Sequence, residues 1–128
     1  MNKAKDLGER NTYHLLGLCF YNGVGISQSY ENAFAYFMAG SEEGDIECFY
    51  YLGLMSVAGE GCPKDLNRAL YFYQQGAKEG DPRAMYNLAL FYENGVYVPK
   101  NMDLVIYWLK QAAAKGFVEA KTKLEKLS

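Results

Sequence analysis

One histidine and three cysteines are the side chains of this 128-residue chain best able to act as base and nucleophile. His14 is the only imidazole, and the thiols are Cys19, Cys48 and Cys62. A reactive pair must bring a thiol within hydrogen-bond reach of the ring. Cys19 fails this test on a helix, because five residues turn the chain by about 500° and place the two side chains on different faces. A pairing of His14 with Cys48 stays open, and the alternative is that all three cysteines are reduced thiols, mostly buried.

Neither a metal site nor a phosphate-binding loop is predicted. The cysteines form no Cys-x-x-Cys pair, their odd number gives no disulfide framework, and one histidine cannot build a two-histidine site. Gly-x-Gly sequences at 23–25 and 59–61 lack the third glycine of a phosphate-binding motif and follow no predicted strand. Carboxylates that could act as acid or base fall at predicted helix ends or in loops, where water or the helix dipole stabilises them: Glu42, Glu43, Glu60 and Asp103. We therefore expect no cofactor, no metal and no enzymatic activity.

The composition is that of one globular domain. Half of the residues are hydrophobic, 22% are charged and the formal net charge is −2, so the chain lacks the basic excess that a nucleic-acid binder needs. No segment reaches the roughly 18 apolar residues that indicate a membrane span. The apolar run 15–21 follows basic residues, but Asp6 and Glu9 interrupt them and no cleavage site follows. We expect a cytoplasmic protein that neither binds nucleic acid nor inserts into a membrane.

Internal repetition is the strongest signal in the sequence. Leu16, Leu52 and Leu88 stand 36 residues apart, a small residue follows each, and Leu124 continues the series. Other sets share this period: Leu18, Leu54 and Leu90; Gly23, Gly59 and Gly95; Ala33, Ala69 and Val105; Gly44, Gly80 and Gly116. Such a period predicts stacked units of supersecondary structure that bury a continuous core between them.

Each repeat is predicted to form two helices joined by a glycine-containing loop. The first helix carries a core stripe at helical spacing, which in the first unit is Tyr13, Leu16, Gly17 and Phe20. Second helices are predicted at 30–43, 66–79 and 102–115. Short polar residues that can cap a helix stand before each second helix and before the next first helices: Ser29, Asp65, Asn101, Asp45 and Asp81.

The period divides the chain as follows. Residues 1–11 are an N-terminal extension or the start of the first helix, and the repeats occupy 12–47, 48–83 and 84–119. Residues 120–128 form a capping helix, which belongs to an amphipathic half-repeat that places Leu124 and Leu127 inside and covers the last apolar edge.

The repeated pattern resembles the Sel-1-like repeat, a relative of the tetratricopeptide repeat. The resemblance covers about 12–127 and depends on Leu-Gly in the first helix, Gly-Val-Gly in the loop and Pro-Lys-Asp-Leu-Asn-Arg-Ala at 63–69. Departures are Ser27 in place of the loop proline, Ala89 in place of glycine and Val105 in place of alanine. The resemblance implies an all-α, right-handed superhelix (solenoid) of three helix-turn-helix repeats and a capping half-repeat, with a concave face for protein partners. Some bacterial members are described as penicillin-binding or β-lactamase-like, but the Ser-x-x-Lys motif of such a hydrolase is absent here.

The family resemblance implies that first helices line the concave groove. The positions beside the core stripe, at i, i+4 and i+7 of each first helix, are then the groove stripe. With flanking polar residues, the predicted partner-binding set is His14, Leu18, Tyr21, Asn22, Glu47, Tyr50, Leu54, Val57, Arg83, Tyr86, Leu90, Glu93 and Asn94. We expect a protein or peptide partner and an adaptor or scaffold role. One alternative is an immunity-type inhibitor of a secreted toxin, which the small size and acidity of the chain would suit. A further alternative, ranked after it, is a hydrolase of the β-lactamase-like kind.

Overall fold

A computed structural model describes the backbone of residues 10–127 and the side chains of residues 13–127. This part of the chain contains seven α-helices and no strand. The helices are α1 (Arg10–Asn22), α2 (Tyr30–Glu42), α3 (Glu47–Ala58), α4 (Leu66–Lys78), α5 (Pro82–Asn94), α6 (Met102–Ala114) and α7 (Val118–Leu127). Of the predicted segment 1–11, residues 1–9 lie outside the described residues, and only the backbone of the last two is seen, at the start of α1.

The three second helices begin where the sequence predicts and end one residue earlier. Polar caps explain the start points of α2 and α6. The side chain of Ser29 accepts a hydrogen bond from the backbone N–H of Asn32 at 3.2 Å, and Asn101 accepts from Leu104 at 3.1 Å. Each cap satisfies an amide that the first helical turn leaves without a partner.

The starts of α3 and α5 differ from each other. Asp81 caps α5 as predicted, accepting from the backbone N–H of Arg83, and Pro82 occupies the first turn. The prediction that Asp45 occupies the N-cap of α3 is wrong, because Ile46 holds that position. Asp45 stands one residue earlier, and its carboxylate still accepts from the backbone N–H of Glu47 at 3.3 Å.

Two compact units divide the chain, the first ending at Asp65 and the second beginning at Leu66. In the first unit α2 packs against α1 and α3. Its inward stripe, Ala33 and Phe37, is fully buried, and the ring of Phe37 stacks on Tyr51 with centroids 5.0 Å apart. Gly17 of α1 lies directly under Phe37, so that an added Cβ would collide with the ring. The small residue predicted in α1 is therefore required by a large one in α2.

In the second unit, α5 packs between α4 and α6, and α7 packs against α6. The inward stripe of α6 is fully buried and consists of Val105, Leu109 and Ala112. Opposite it on α5, Leu88 is 2% exposed and Ala89 is fully buried. The C-terminal helix contributes Ala120, which is also fully buried.

Two predicted core positions are exposed. Leu16 and Leu127 each have 36% of their surface accessible, although Leu88, which shares the lattice position of Leu16, is buried. Leu88 lies on a first helix that packs on the second helix of the preceding repeat, α4. No described helix precedes α1, so Leu16 lacks this cover, and no described helix follows α7 to cover Leu127. Leu124, also predicted inside, is half-buried.

Candidate functional site

The thirteen predicted partner-binding residues lie on α1, α3 and α5, the first helix of each pair. Eleven are half-buried, and Asn22 and Asn94 are exposed. The core positions beside them on two of these helices, Leu52 and Leu88, are 0% and 2% exposed. Helical periodicity therefore separates an inner from an outer stripe on α3 and α5. We call the outer stripe of the first helices the first-helix face. The assignment of this face to a partner stays a prediction.

In the first unit, His14 of α1 is bound to a buried carboxylate. Its Nδ1 lies 2.8 Å from Oδ2 of Asp45, and its backbone N–H donates to the same oxygen at 3.1 Å. Asp45 is only 4% exposed, and a carboxylate so buried needs partners of this kind. The imidazole thus ties α1 to the connection between α2 and α3.

The carboxylate of Asp45 also interacts with the thiol of Cys48. The thiol is fully buried, and burial, followed by the charge of Asp45 and a hydrogen bond to it, raises the pKa of Cys48 well above its usual value. A thiol with a raised pKa stays protonated and is a poor nucleophile. The pairing of His14 with Cys48 that the sequence left open therefore gives no activated thiol. Cys19 and Cys62 are half-buried, so the expectation of mostly buried thiols holds fully only for Cys48.

Tyr21, predicted to face a partner, instead binds the loop that follows α3. Its hydroxyl donates to Oε1 of Glu60 at 2.7 Å, and its ring lies 5.2 Å from that of Tyr30. Burial and the hydrogen bond to Glu60 raise the pKa of Tyr21. Next to Glu60, Gly61 has a φ of +71°, and an added Cβ there would collide with the backbone carbonyl of Tyr30. The expectation that water or the helix dipole suffices for Glu60 is wrong, because Tyr21, 39 residues earlier in the chain, donates a hydrogen bond to it.

In the second unit, two predicted partner-binding residues form ion pairs. The Nη2 of Arg83 lies 3.1 Å from Oδ2 of Asp81, a carboxylate that is 3% exposed. The Nζ of Lys123 on α7 lies 2.9 Å from Oε1 of Glu93 on α5. The second pair is partly exposed, and pairs of that kind contribute about 0–1 kcal/mol. Arg83 and Glu93 therefore have partners inside the unit.

An open pocket of about 250 Å³ lies on the first-helix face of the second unit, between α5 and α7. The ring of Tyr86 forms one wall and is tilted against Phe117 with centroids 5.5 Å apart. The remaining lining residues all come from α7: Val118, Glu119, Thr122, Lys123 and Lys126. Of the predicted set, Tyr86 is the only residue that lines this pocket.

The contribution of α7 to the pocket was not predicted from the sequence, where this helix was interpreted only as a cap. The period contains the missing signal. Glu119, Thr122 and Lys126 stand 36 residues after three members of the predicted set, Arg83, Tyr86 and Leu90. The α7 helix is a fourth first helix, and its outer stripe extends the face.

Between residues 13 and 127, no group of three or more His, Cys, Asp or Glu side chains is placed to hold a metal ion. None of the seven described helices is long and apolar enough to cross a membrane.

Comparison with known proteins identifies the repeats. The family model of the Sel1 repeat matches residues 12–45, 47–81 and 82–117. A Sel1 repeat protein from Oxalobacter formigenes is 30% identical over 92% of this chain and 47% of its own, with a TM-score of 0.83. The protective antigen c5321 of uropathogenic Escherichia coli, which displays the same fold, is 29% identical over 89% of this chain and 24% of its own, with a TM-score of 0.80. No curated protein matches the chain significantly.

A third solved structure extends the likeness in fold. Cysteine rich protein B of Helicobacter pylori is 20% identical over 94% of this chain and 92% of its own, with a TM-score of 0.75. The chain spans about half the length of the Oxalobacter protein and a quarter of that of c5321. These findings confirm the predicted all-α fold class of three helix pairs and a further helix. Sel1 repeats generally serve protein–protein interaction, and this chain belongs to the Sel1 repeat family.

Proposed function

We propose that this chain binds an extended segment of a partner protein on the first-helix face of its second unit. The observation that carries the proposal is the pocket between α5 and α7, which opens on that face beside Tyr86. Tyrosine is enriched at protein interfaces because its ring supplies a large apolar contact and its hydroxyl a hydrogen bond. The pocket is a place where one partner side chain can be anchored.

The side chains available for such contacts are mainly apolar. Three polar members of the first-helix face are bound within their own unit: His14, Arg83 and Glu93. The apolar and aromatic members are half-buried in each unit: Leu18, Tyr50, Leu54 and Val57 in the first, and Tyr86 and Leu90 in the second. A partner would therefore gain affinity mostly by burying apolar surface against them.

Charge gives the pocket little preference for an acidic or a basic partner. Lys126 and Glu119 on its rim carry opposite charges, and Lys123 is paired with Glu93. A rim balanced in this way favours hydrogen bonds over net attraction. We infer that the anchor is an aromatic or aliphatic side chain, seated between Tyr86 and Val118.

An adaptor role in the cytoplasm is the function that we propose for this binding. Three free thiols suit a reducing compartment. An inhibitor of a secreted toxin would use the same face but bind one folded partner tightly. The partner's identity separates the two roles, since an adaptor accepts short segments and an inhibitor requires a folded domain.

A peptide-display selection against the full chain tests the proposal, because a random library needs no candidate partner. We expect selected peptides to share an aromatic or aliphatic anchor. Loss of the wall of the pocket in Tyr86→Ala should weaken their binding about 5- to 30-fold, the effect of removing 1–2 kcal/mol at an interface hot spot.

Tyr107→Ala is the matched control. Tyr107 is 50% exposed on the second helix α6, and it is not among the lining residues of the pocket. Circular dichroism checks that both variants fold. Peptides that tolerate Tyr86→Ala but lose affinity with Tyr107→Ala would refute the first-helix face as the binding surface.

A further inference from the structure

A second groove lies on the other side of α7, between that helix and α6. It has a volume of about 390 Å³, and its apolar lining consists of Ile106, Leu124 and Leu127, with Lys110 and Glu125 also along it. None of these residues belongs to the pocket beside Tyr86. The groove is therefore a separate surface from the one proposed above.

The same three apolar positions occur one repeat earlier, where they are buried. Thirty-six residues before them stand Leu70, Leu88 and Phe91, which are 6%, 2% and 8% exposed. Leu127, by contrast, is 36% exposed. The groove is thus an interface that the earlier repeat completes and the last described helix does not.

What completes the earlier interface is a second helix. The α5 helix packs on α6, whose inward stripe of Val105, Leu109 and Ala112 is fully buried. Equivalent stripes in the other second helices are Ala33, Phe37 and Gly40, and Ala69, Tyr73 and Gly76. In each, a small or β-branched residue is followed by a large one four positions later and a small one three positions after that. No described helix stands beside α7 as α6 stands beside α5.

We propose that the α6–α7 groove binds, from a partner protein, one amphipathic α-helix with this small–large–small stripe. The groove continues an interface already present in the chain, and the repeat specifies which helix face fits it. A second copy stacked end to end fits less well, because its described part begins with α1, a first helix, where a second helix is needed.

The probe is a fluorescein-labelled peptide with the sequence of residues 101–115, which carries the α6 stripe. A lactam bridge between two solvent-facing positions keeps it helical, because so short a helix is only marginally stable alone. A second peptide with aspartate in place of Val105 and Leu109 serves as the negative control. Fluorescence anisotropy with the full chain measures the affinity of each peptide.

We expect the first peptide to bind and the aspartate peptide not to bind. Leu127→Asp should weaken binding by at least about tenfold, since it places a charge in the apolar groove. Val118→Asp is the matched control on the same helix, because Val118 lines the other pocket and is 65% exposed. It should change peptide affinity less than about twofold, whereas Leu127→Asp should leave binding at the first-helix face intact.

Three results would overturn the proposal. One is no detectable binding of the helical peptide to the wild-type chain, and another is equal binding to wild type and Leu127→Asp. The third is a dimer in sedimentation equilibrium that Leu127→Asp dissociates and the peptide does not, which would assign the groove to a second copy.

Discussion

The first and third helix pairs, α1–α2 and α5–α6, show how one backbone accommodates different side chains. Gly17 of α1 lies under the large ring of Phe37. At the matching positions of the third pair, Ala89 and Leu109 are both fully buried. A larger residue on the first helix accompanies a smaller one on the second, so close packing is kept while the residues change.

The buried aspartates at the ends of α2 and α4 give a second contrast. Asp45 and Asp81 share a lattice position and are 4% and 3% exposed. Asp45 is bound by His14, 31 residues earlier on another helix, whereas Asp81 is bound by Arg83, two residues later. The repeat thus preserves a buried carboxylate, and its partner comes from whichever neighbour reaches it. The difference teaches that local sequence identifies the acceptor but not always the donor.

The largest difference in stability loss between the two helix pairs should appear at Leu16 and Leu88, which hold the same position of the repeat. Leu88→Ala would leave a cavity in a fully packed core and should cost about 2–5 kcal/mol of unfolding free energy. Leu16→Ala removes a side chain that is 36% exposed and should cost less than about 1 kcal/mol. Urea denaturation of both variants measures the two losses. Equal losses would mean that Leu16 is as well packed as Leu88.

A smaller effect on stability is expected at Gly17 and Phe37, whose counterparts in the third pair differ from them in size. Gly17→Ala drives a Cβ into the ring of Phe37 and should cost up to about 2 kcal/mol, after the gain of about 1 kcal/mol in helix propensity is deducted. Phe37→Leu imitates the third pair and makes room for that Cβ. The double variant should therefore be more stable than the sum of the single losses predicts. Strict additivity in thermal or urea unfolding would show that the two positions are independent.

The smallest effect concerns the loops. Tyr97 has a φ of +56°, while Gly25, which holds the same lattice position in the loop of the first repeat, has a φ of +77°. Tyr97→Gly keeps the left-handed backbone conformation but relieves the strain that a Cβ causes there. It should therefore stabilise the fold by up to about 1 kcal/mol. Gly25→Ala makes the opposite change and should destabilise the fold by a similar amount. Thermal unfolding of both variants tests the sign, and a loss of stability in Tyr97→Gly would show that the tyrosine ring makes contacts worth more than the strain.

Much of the fold could be predicted because the same pattern of apolar residues, caps and glycines occurs in each repeat. Three second helices were placed to within a residue, since their polar caps and the glycines after them are local signals. The N-cap of α3 lies one residue after the predicted Asp45, whose carboxylate accepts from the N–H of Glu47 and also binds His14. Local sequence preferences cannot show that a residue far along the chain, here His14, binds the same carboxylate.

The outer stripe of the first helices was also predictable, but not which of its members are bound inside the chain. Tyr21 was predicted to face a partner and instead donates to Glu60, 39 residues away. The 36-residue period also relates α7 to the first helices, but the prediction that α7 covers an apolar edge concerns its inner side and not the side that lines the pocket.

The sequence by itself determined the repeat, the helix pairs and the two stripes of each first helix, because periodicity and capping act within a few turns of chain. Only the tertiary structure decided that His14 and Cys48 meet at Asp45, and that Leu16 lacks the cover given to Leu88. Both depend on which helix packs beside which, and packing joins residues that no local pattern relates.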